Sequence, residues 1–271
     1  MGLSSLILSS AIAAPNWHVP SVTELDFHAD HREAEQPDNY TIWRHWPGEG
    51  SRACAFIIPD WFRDAVFQPA WEGRSGALRV KAGSELKYSL WVVGVHGAHG
   101  DLFDQTLVDL TSLLSPKHRL AQIVCVGDWN VDQLPTLAHD PWHHTADRWL
   151  RHIGRRTMLE NWMNVWNLLF YLPLQTIGVL DGQFAEAALG CPISRVPYGN
   201  QDHLPSLLDY VISSSTVQIE STVNWEQSVS DHAVLIANVS WFNYHQPFRP
   251  TTLGMWGFRR MRTCFWYCKP F

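Results

Sequence analysis

The chain is 271 residues long, 46% apolar and 17% charged, with a formal net charge of −6. That length and apolar content can bury a full core as one large domain or two small ones, and they argue against a disordered chain. The negative charge gives no general attraction for nucleic acid or an anionic membrane, so a polyanionic substrate needs a locally positive site or a bound cation. The five cysteines, Cys54, Cys125, Cys191, Cys264 and Cys268, are odd in number and lack paired metal-ligand spacing, which points to a reducing compartment.

In chain order, "MGLSSLILSSAIAAP" imitates a secretory signal but lacks a basic start. Leu3, Leu6, Ile7 and Ile12 fall near one face at helical spacing and read as a core helix. Leu6 breaks the myristoylation pattern, and no stretch approaches the roughly 18 apolar residues of a membrane span. A soluble protein with no membrane partner is expected. Strands are predicted at "HVPSVTEL" (18–25), "RACAFIIP" (52–59), "GALRVKA" (76–82), "YSLWVVGVH" (88–96), "AQIVCVGD" (121–128), "SLLDYVIS" (206–213) and "HAVLIANVSW" (232–241). Helical periodicity begins near Asp101, with Leu107, Leu110 and Leu114. A second helix is predicted over 157–171, with Leu159, Trp162, Met163, Trp166 and Leu169. Residues 131–156, rich in His and Trp, read as a loop followed by a short helix. His139, His143, His144 and His152 within that stretch fit no standard metal spacing.

Polar residues interrupt or end most of the apolar runs: Glu24, His96, His99, Asp128, Asn130, Asp209, Asp231 and His232. One such residue is most often a turn former or a satisfied core group. As a set they carry chemistry. Carboxylate and amide oxygens suit a hard cation such as Mg²⁺, and Glu24, Asp128, Asn130 and Asp231 would supply that kind of site. Attack of water on a phosphodiester needs a base, neutralisation of charge on the phosphorane and help for the departing oxyanion. His232 can take or share the proton if a carboxylate fixes its tautomer, and Asp209 is the candidate on a neighbouring strand. His96 could donate to a phosphate oxygen. Trp129 and Trp142 are candidates to stack on a base.

These residues resemble the endonuclease/exonuclease/phosphatase superfamily, which includes apurinic/apyrimidinic endonucleases, pancreatic-type deoxyribonuclease and the endonuclease domains of non-LTR retrotransposons. "GDWN" resembles the family's GD-aromatic-N motif, "LLDYVISS" its aspartate-tyrosine strand and "SDHAVL" its closing motif, in the family order. "CPISRVP" (191–197) is similar to the stretch where retroelement-type members carry a Thr-Arg pair, with Ser194 and Arg195 here. The likeness covers about residues 3–240. It implies an α+β fold, a four-layer α/β/β/α sandwich of two mostly antiparallel sheets, over a domain of residues 1–241 followed by a basic, aromatic tail, 242–271.

The resemblance further implies the roles. Glu24 would match the family's metal-binding glutamate, although Thr23 replaces the usual glutamine. Asp128 and Asn130 would activate water and contact metal and phosphate. Asp231 would be a further metal ligand, His232 the catalytic histidine and Asp209 its orienting partner. His96 would contact the scissile phosphate, with His99 and Arg195 binding substrate. The family's first strand carries an asparagine about thirty residues before the glutamate. Asn16 is the only asparagine upstream of Glu24 and lies eight positions before it (24 minus 16), so an amino-terminally truncated family domain is expected. The expected function is a Mg²⁺- or Mn²⁺-dependent endonuclease acting on nucleic acid, DNA by resemblance, as a monomer and in the nucleus if retroelement-derived. A phosphoesterase acting on small-molecule or lipid phosphates, and a catalytically silent truncated remnant, are the alternatives.

Overall fold

The structure is a computed structural model that describes residues 21–25, 39–45, 53–80, 90–114, 122–133, 146–178, 192–196, 206–226 and 231–241. Twelve strands and two α-helices fall within these segments. The strands are β1 (Ser21–Leu25), β2 (Tyr40–His45), β3 (Ala53–Pro59), β4 (Ala70–Glu72), β5 (Ser75–Val80), β6 (Leu90–His96) and β7 (Gln122–Asp128), then β8 (Leu168–Tyr171), β9 (Gln175–Ile177), β10 (Asp209–Ser214), β11 (Val217–Asn224) and β12 (Val234–Trp241). The helices are α1 (Phe103–Leu113) and α2 (Ala146–Trp166).

A six-stranded sheet in the order β4-β5-β6-β7-β10-β8 forms the centre. Its pairs are antiparallel except β6 with β7. All seven residues of β7 are buried, as expected of a strand covered on both faces, whose sequence is a run of apolar residues rather than an alternation. One face of this sheet meets two three-stranded sheets, β1-β3-β2 and β12-β11-β9. Phe56 and Ile58 of β3, Leu78 and Val80 of β5, Val124 and Val126 of β7, Val211 of β10, and Leu235, Ala237 and Val239 of β12 make that inter-sheet core. The opposite face is covered by the helices, with Val93 and Val95, Ile123 and Cys125, and Tyr210 and Ile212 packed against Phe103, Leu107, Leu110, Trp162 and Trp166. The architecture is therefore α+β, with mostly antiparallel sheets stacked face to face. Both described helices lie on the outer face of the central sheet.

An isolated 11-residue helix is marginal in water, and α1 owes its stability to burial of Phe103, Leu107, Leu110 and Leu113. Each buried apolar side chain of this kind contributes about 1.5–3 kcal/mol.

Several boundaries differ from the sequence expectation. The second helix starts at Ala146 and stops at Trp166, where Asn167 takes a left-handed backbone (φ 54), and Leu169 belongs to β8 instead of the helix. β10 begins only at Asp209, and Ser206 makes an isolated bridge to Arg195. β2, β4, β8, β9 and β11 were not predicted. In β11 the alternation is plain in space, with Val217, Ile219, Ser221 and Val223 inward, but Ser221 and the polar outward residues dilute it in sequence. The amino-terminal helix expectation, His139, His143 and His144, Trp142, Cys191, Cys264, Cys268 and the tail lie outside the described residues. Cys54 and Cys125 are buried, and burial pushes the Cys125 thiol far above its usual range, as suits an inert core residue. Among the described residues no helix is long and apolar enough to cross a membrane.

Tyr210 ties the central sheet to the segment after β7. It is fully buried, its hydroxyl donates to the Val131 carbonyl at 3.1 Å, and it accepts from Gln133 Nε2 at 3.3 Å. Burial pushes its phenol well above the ordinary tyrosine range. A group whose folded pKa is raised contributes stability that is present below its unfolded pKa, about 10 for tyrosine, and lost as pH rises through the folded value. Tyr210→Phe is expected to cost about 1–2 kcal/mol at neutral pH and to flatten the alkaline loss of stability by up to ~1.4 kcal/mol per pH unit. Denaturant unfolding between pH 8 and 11 checks this, and parallel curves for parent and variant would disprove it.

Candidate active site

Three neighbouring strands of the central sheet end together. In the β6–β7 register His96 stands opposite Asp128, and in the β7–β10 register Asp128 stands opposite Asp209. Directly paired residues share a face, and alternation puts all three on the inter-sheet side with Val92, Val126 and Val211. The three are buried, His96 and Asp209 completely and Asp128 to 1% exposure. Charged groups placed there are stable only with compensating partners, so the partners define the site.

Asp128 finds its partners in the next turn. The Asn130 backbone N–H donates to Asp128 Oδ1 at 2.8 Å, and Asn130 Nδ2 donates to Asp128 Oδ2 at 3.2 Å and to the Gly97 carbonyl at 2.7 Å. Asn130 adopts φ 52, a left-handed conformation that asparagine tolerates better than most residues. Trp129 between them is fully buried, stacks on Tyr210 (5.9 Å between ring centroids, 8° between planes) and donates from Nε1 to the Tyr210 carbonyl at 3.2 Å. It is a core anchor, and the expectation that it stacks on a nucleic-acid base is corrected. The motif glycine is required by the backbone. Gly127 has φ 147, and a Cβ there would lie 2.0 Å from the Val95 carbonyl oxygen on the neighbouring strand.

Asp209 and His232 meet at the other side of Asp128. His232 Nδ1 lies 2.8 Å from Asp209 Oδ2, with side-chain exposures of 5% and 0%. A carboxylate only accepts, so Nδ1–H donates and the bond fixes the orientation of the ring. Asp231 turns elsewhere, with Arg195 Nε donating to its Oδ2 at 3.1 Å. The short segment 192–196 joins these parts. Arg195 bridges to Ser206 on one side and His232 on the other, Val196 N–H donates to the Asp231 carbonyl, and the fully buried Ser194 hydroxyl accepts from the Leu208 and Asp209 N–H groups at 2.9 Å each.

The remaining expected residues are more dispersed. Glu24 sits at an irregularity in the β1–β3 register, between Thr23 and Leu25, and its side chain lies outside what the structure describes. His99 is exposed just before a short 3₁₀ turn, Gly100–Leu102. Sequence reasoning missed Asp132, whose carboxylate accepts from Leu207 N–H at 3.0 Å, and Arg155, which donates to the Asn130 carbonyl at 2.9 Å. Their polar stretches carry no period that marks them.

Ligand atoms of Asp128, Asp209 and His232 all lie within 4.8 Å of one another, and this group can hold a metal ion. Two buried carboxylates side by side fit a divalent cation, since hard cations take oxygen ligands and the pair needs positive charge nearby. Of the expected metal ligands, Asp128 belongs to this group, with Asn130 hydrogen-bonded directly to it, and Asp231 lies against Arg195.

No family model matches the chain, and no curated protein matches it. Among solved structures it is similar to an endonuclease/exonuclease/phosphatase from Bacteroides vulgatus (12% identity, 75% of this chain and 77% of that one, TM-score 0.45). It is also similar to truncated TDP2 of Caenorhabditis elegans (11% identity, 83% and 84%, TM-score 0.43) and to a mannosyl-6-phosphatase of Bacteroides thetaiotaomicron (12% identity, 74% and 77%, TM-score 0.40). Identities and TM-scores this low leave the assignment of chemistry to the side chains.

Gly127→Ala is expected to destabilise the protein by roughly 2–4 kcal/mol, combining a strained backbone with a clash against β6. Chemical denaturation measures this, and a change within about 0.5 kcal/mol would show that β6 does not pass so close.

Proposed function

We propose that the chain is a divalent-metal-dependent phosphodiesterase that cleaves nucleic acid, DNA in the first instance, as an endonuclease resembling the endonuclease/exonuclease/phosphatase superfamily. The observation that carries this reading is the buried His232–Asp209 pair set directly beside Asp128 and Asn130. Asp209 holds His232 in one tautomer and stabilises its protonated form, so His232 Nε2 takes a proton from the attacking water or returns one to the leaving oxygen. Asp128, held by two Asn130 donors, orients the water. Asn130 is itself fixed by Gly97 and needs no rearrangement. His96, His99 and Arg195 serve the phosphate and substrate, with Arg195 poised between Asp231 and an incoming anion.

Asp128 and Asp209, with Asn130, Asp231 and Glu24 contributing oxygens, would hold Mg²⁺ or Mn²⁺, which supplies neutralisation of charge at the phosphate oxygens. The substrate is polyanionic and the chain carries net negative charge, so the cation also removes the electrostatic objection to binding.

Purified protein is expected to nick supercoiled plasmid with Mg²⁺ and to lose that activity in EDTA. His232→Ala and Asp231→Ala are each expected to lower cleavage by about 10²–10⁴-fold with an unchanged circular dichroism spectrum. Cleavage retained by both variants would place the chemistry elsewhere. Hydrolysis of a sugar or inositol phosphate by protein that leaves plasmid intact would replace the nuclease by the small-molecule phosphoesterase.

A further inference from the structure

Helix α2 grips the segment after β7 in two ways. Its buried residues Leu159, Trp162, Met163 and Trp166 share a core with Trp129 and Tyr210. The Trp162 ring lies 6.2 Å from that of Trp129, and Trp162 Nε1 donates to Thr111 Oγ1 of α1 at 3.1 Å. The packing on Trp129 and Tyr210 seats α2 against the residue before Asn130, and the Thr111 bond ties α2 to α1. Arg155 lies seven residues before Trp162 (162 minus 155), about two turns or ~10 Å along the helix. From there its NH1 donates to the Asn130 carbonyl at 2.9 Å. Arg156 donates through NH2 to the Asp132 carbonyl. Successive arginines of one helix thus hold alternate carbonyls of one loop.

Asn130 is the residue whose conformation this grip controls. A non-glycine residue at φ 52 persists where its surroundings over-determine it. Asn130 is 5% exposed between Trp129 and Val131, both fully buried, so its carbonyl has to be paired, and a bond from a guanidinium is stronger than one from a neutral donor. Resting on the reading of Asp128 and Asn130 as phosphodiesterase groups, we propose that Arg155 is a positioning residue for Asn130. By holding the Asn130 carbonyl it locks the following peptide and so keeps the Asn130 side chain on Asp128 and Gly97. Arg156 braces the next turn through Asp132, whose carboxylate is itself engaged by the Leu207 N–H. Without Arg155 the peptide after Asn130 is free to turn over, and Asp128 loses the two donors that aim it. The loss falls on turnover more than on substrate binding, since the donor set of the site is otherwise intact.

Arg155→Met keeps the apolar stem and removes the donor. It is expected to lower kcat on a plasmid or oligonucleotide phosphodiester by about 10- to 100-fold with KM within ~2-fold, the scale of a misplaced catalytic group. Hydrogen exchange of the Asn130 backbone N–H, which is bonded to Asp128, is expected to quicken by about 10-fold or more as the local opening becomes easier. Arg155→Lys, which restores a charged donor, recovers part of both effects. Thr111→Val removes the acceptor of Trp162 Nε1, a tie between α2 and α1 that leaves the packing on Trp129 and Tyr210 in place, and is expected to lower the melting temperature only. The proposal is overturned if Arg155→Met leaves kcat and Asn130 exchange within about two-fold of the parent, or if Thr111→Val reproduces both changes. Should Arg155→Met not fold, Arg155→Gln is read against the same outcomes. Exchange needs no substrate. An inactive parent would therefore remove the phosphodiesterase reading while exchange still decides the role of Arg155.

Discussion

The register of three central strands is the constraint on which everything else depends. Because β6, β7 and β10 pair without a slip, His96, Asp128 and Asp209 fall side by side at one end of the sheet and on one face. A shift of one residue in either ladder would send a carboxylate to the helical face, among Cys125, Ile212 and Leu110. The register is secured by burial on both sides of β7. The apolar core therefore specifies the polar site, although it contributes no chemistry.

The polar residues at that end break the usual rule for interiors, and the structure compensates them locally. Asp128 takes donors from Asn130, Asp209 takes one from His232, and the start of β10 is held by the Ser194 hydroxyl. Such bonds contribute about 1 kcal/mol each when intact, and the buried groups they satisfy would cost more if left unpaired. Trp129 performs the opposite task beside them. Its stacking on Tyr210 draws the chain back into the core one residue before Asn130, so the left-handed turn is anchored on an apolar support. The segment 192–196, through isolated bridges from Arg195 to Ser206 and His232, then brings the Asp231–His232 segment within reach of Asp209. Rigid support of short side chains is what the proposed phosphodiester chemistry would need, since positioning and charge do most of the work in such reactions.

How far the sequence was legible varies with how strongly each element is buried. β3, β6, β7 and β12 were read within about two residues because their apolar runs are long and bounded by turn residues. β8 and β9 were not, because β8 is only partly buried, all three residues of β9 are exposed, and no burial pattern separates them from loop. The second helix was extended to Tyr171, since periodicity continues across Asn167 while the backbone does not. Among site residues, Asp128, Asn130, Asp209 and His232 stood out as polar interruptions of apolar strands. Asp132, Arg155 and the capping role of Ser194 did not, because each acts through backbone groups of distant segments.

The sequence by itself determined which residues could carry chemistry and in what order they occur, since carboxylates and imidazoles at the ends of apolar strands leave few other readings. Only the tertiary structure decided which of them meet. It set Asp209 against His232 across 23 positions, the partner the sequence had offered, placed Arg195 on Asp231, and buried Trp129, one of two tryptophans offered as candidates to stack on a base. The physical reason is that strand register and helix docking are settled by long-range packing, summed over many buried side chains, and no local pattern encodes that sum.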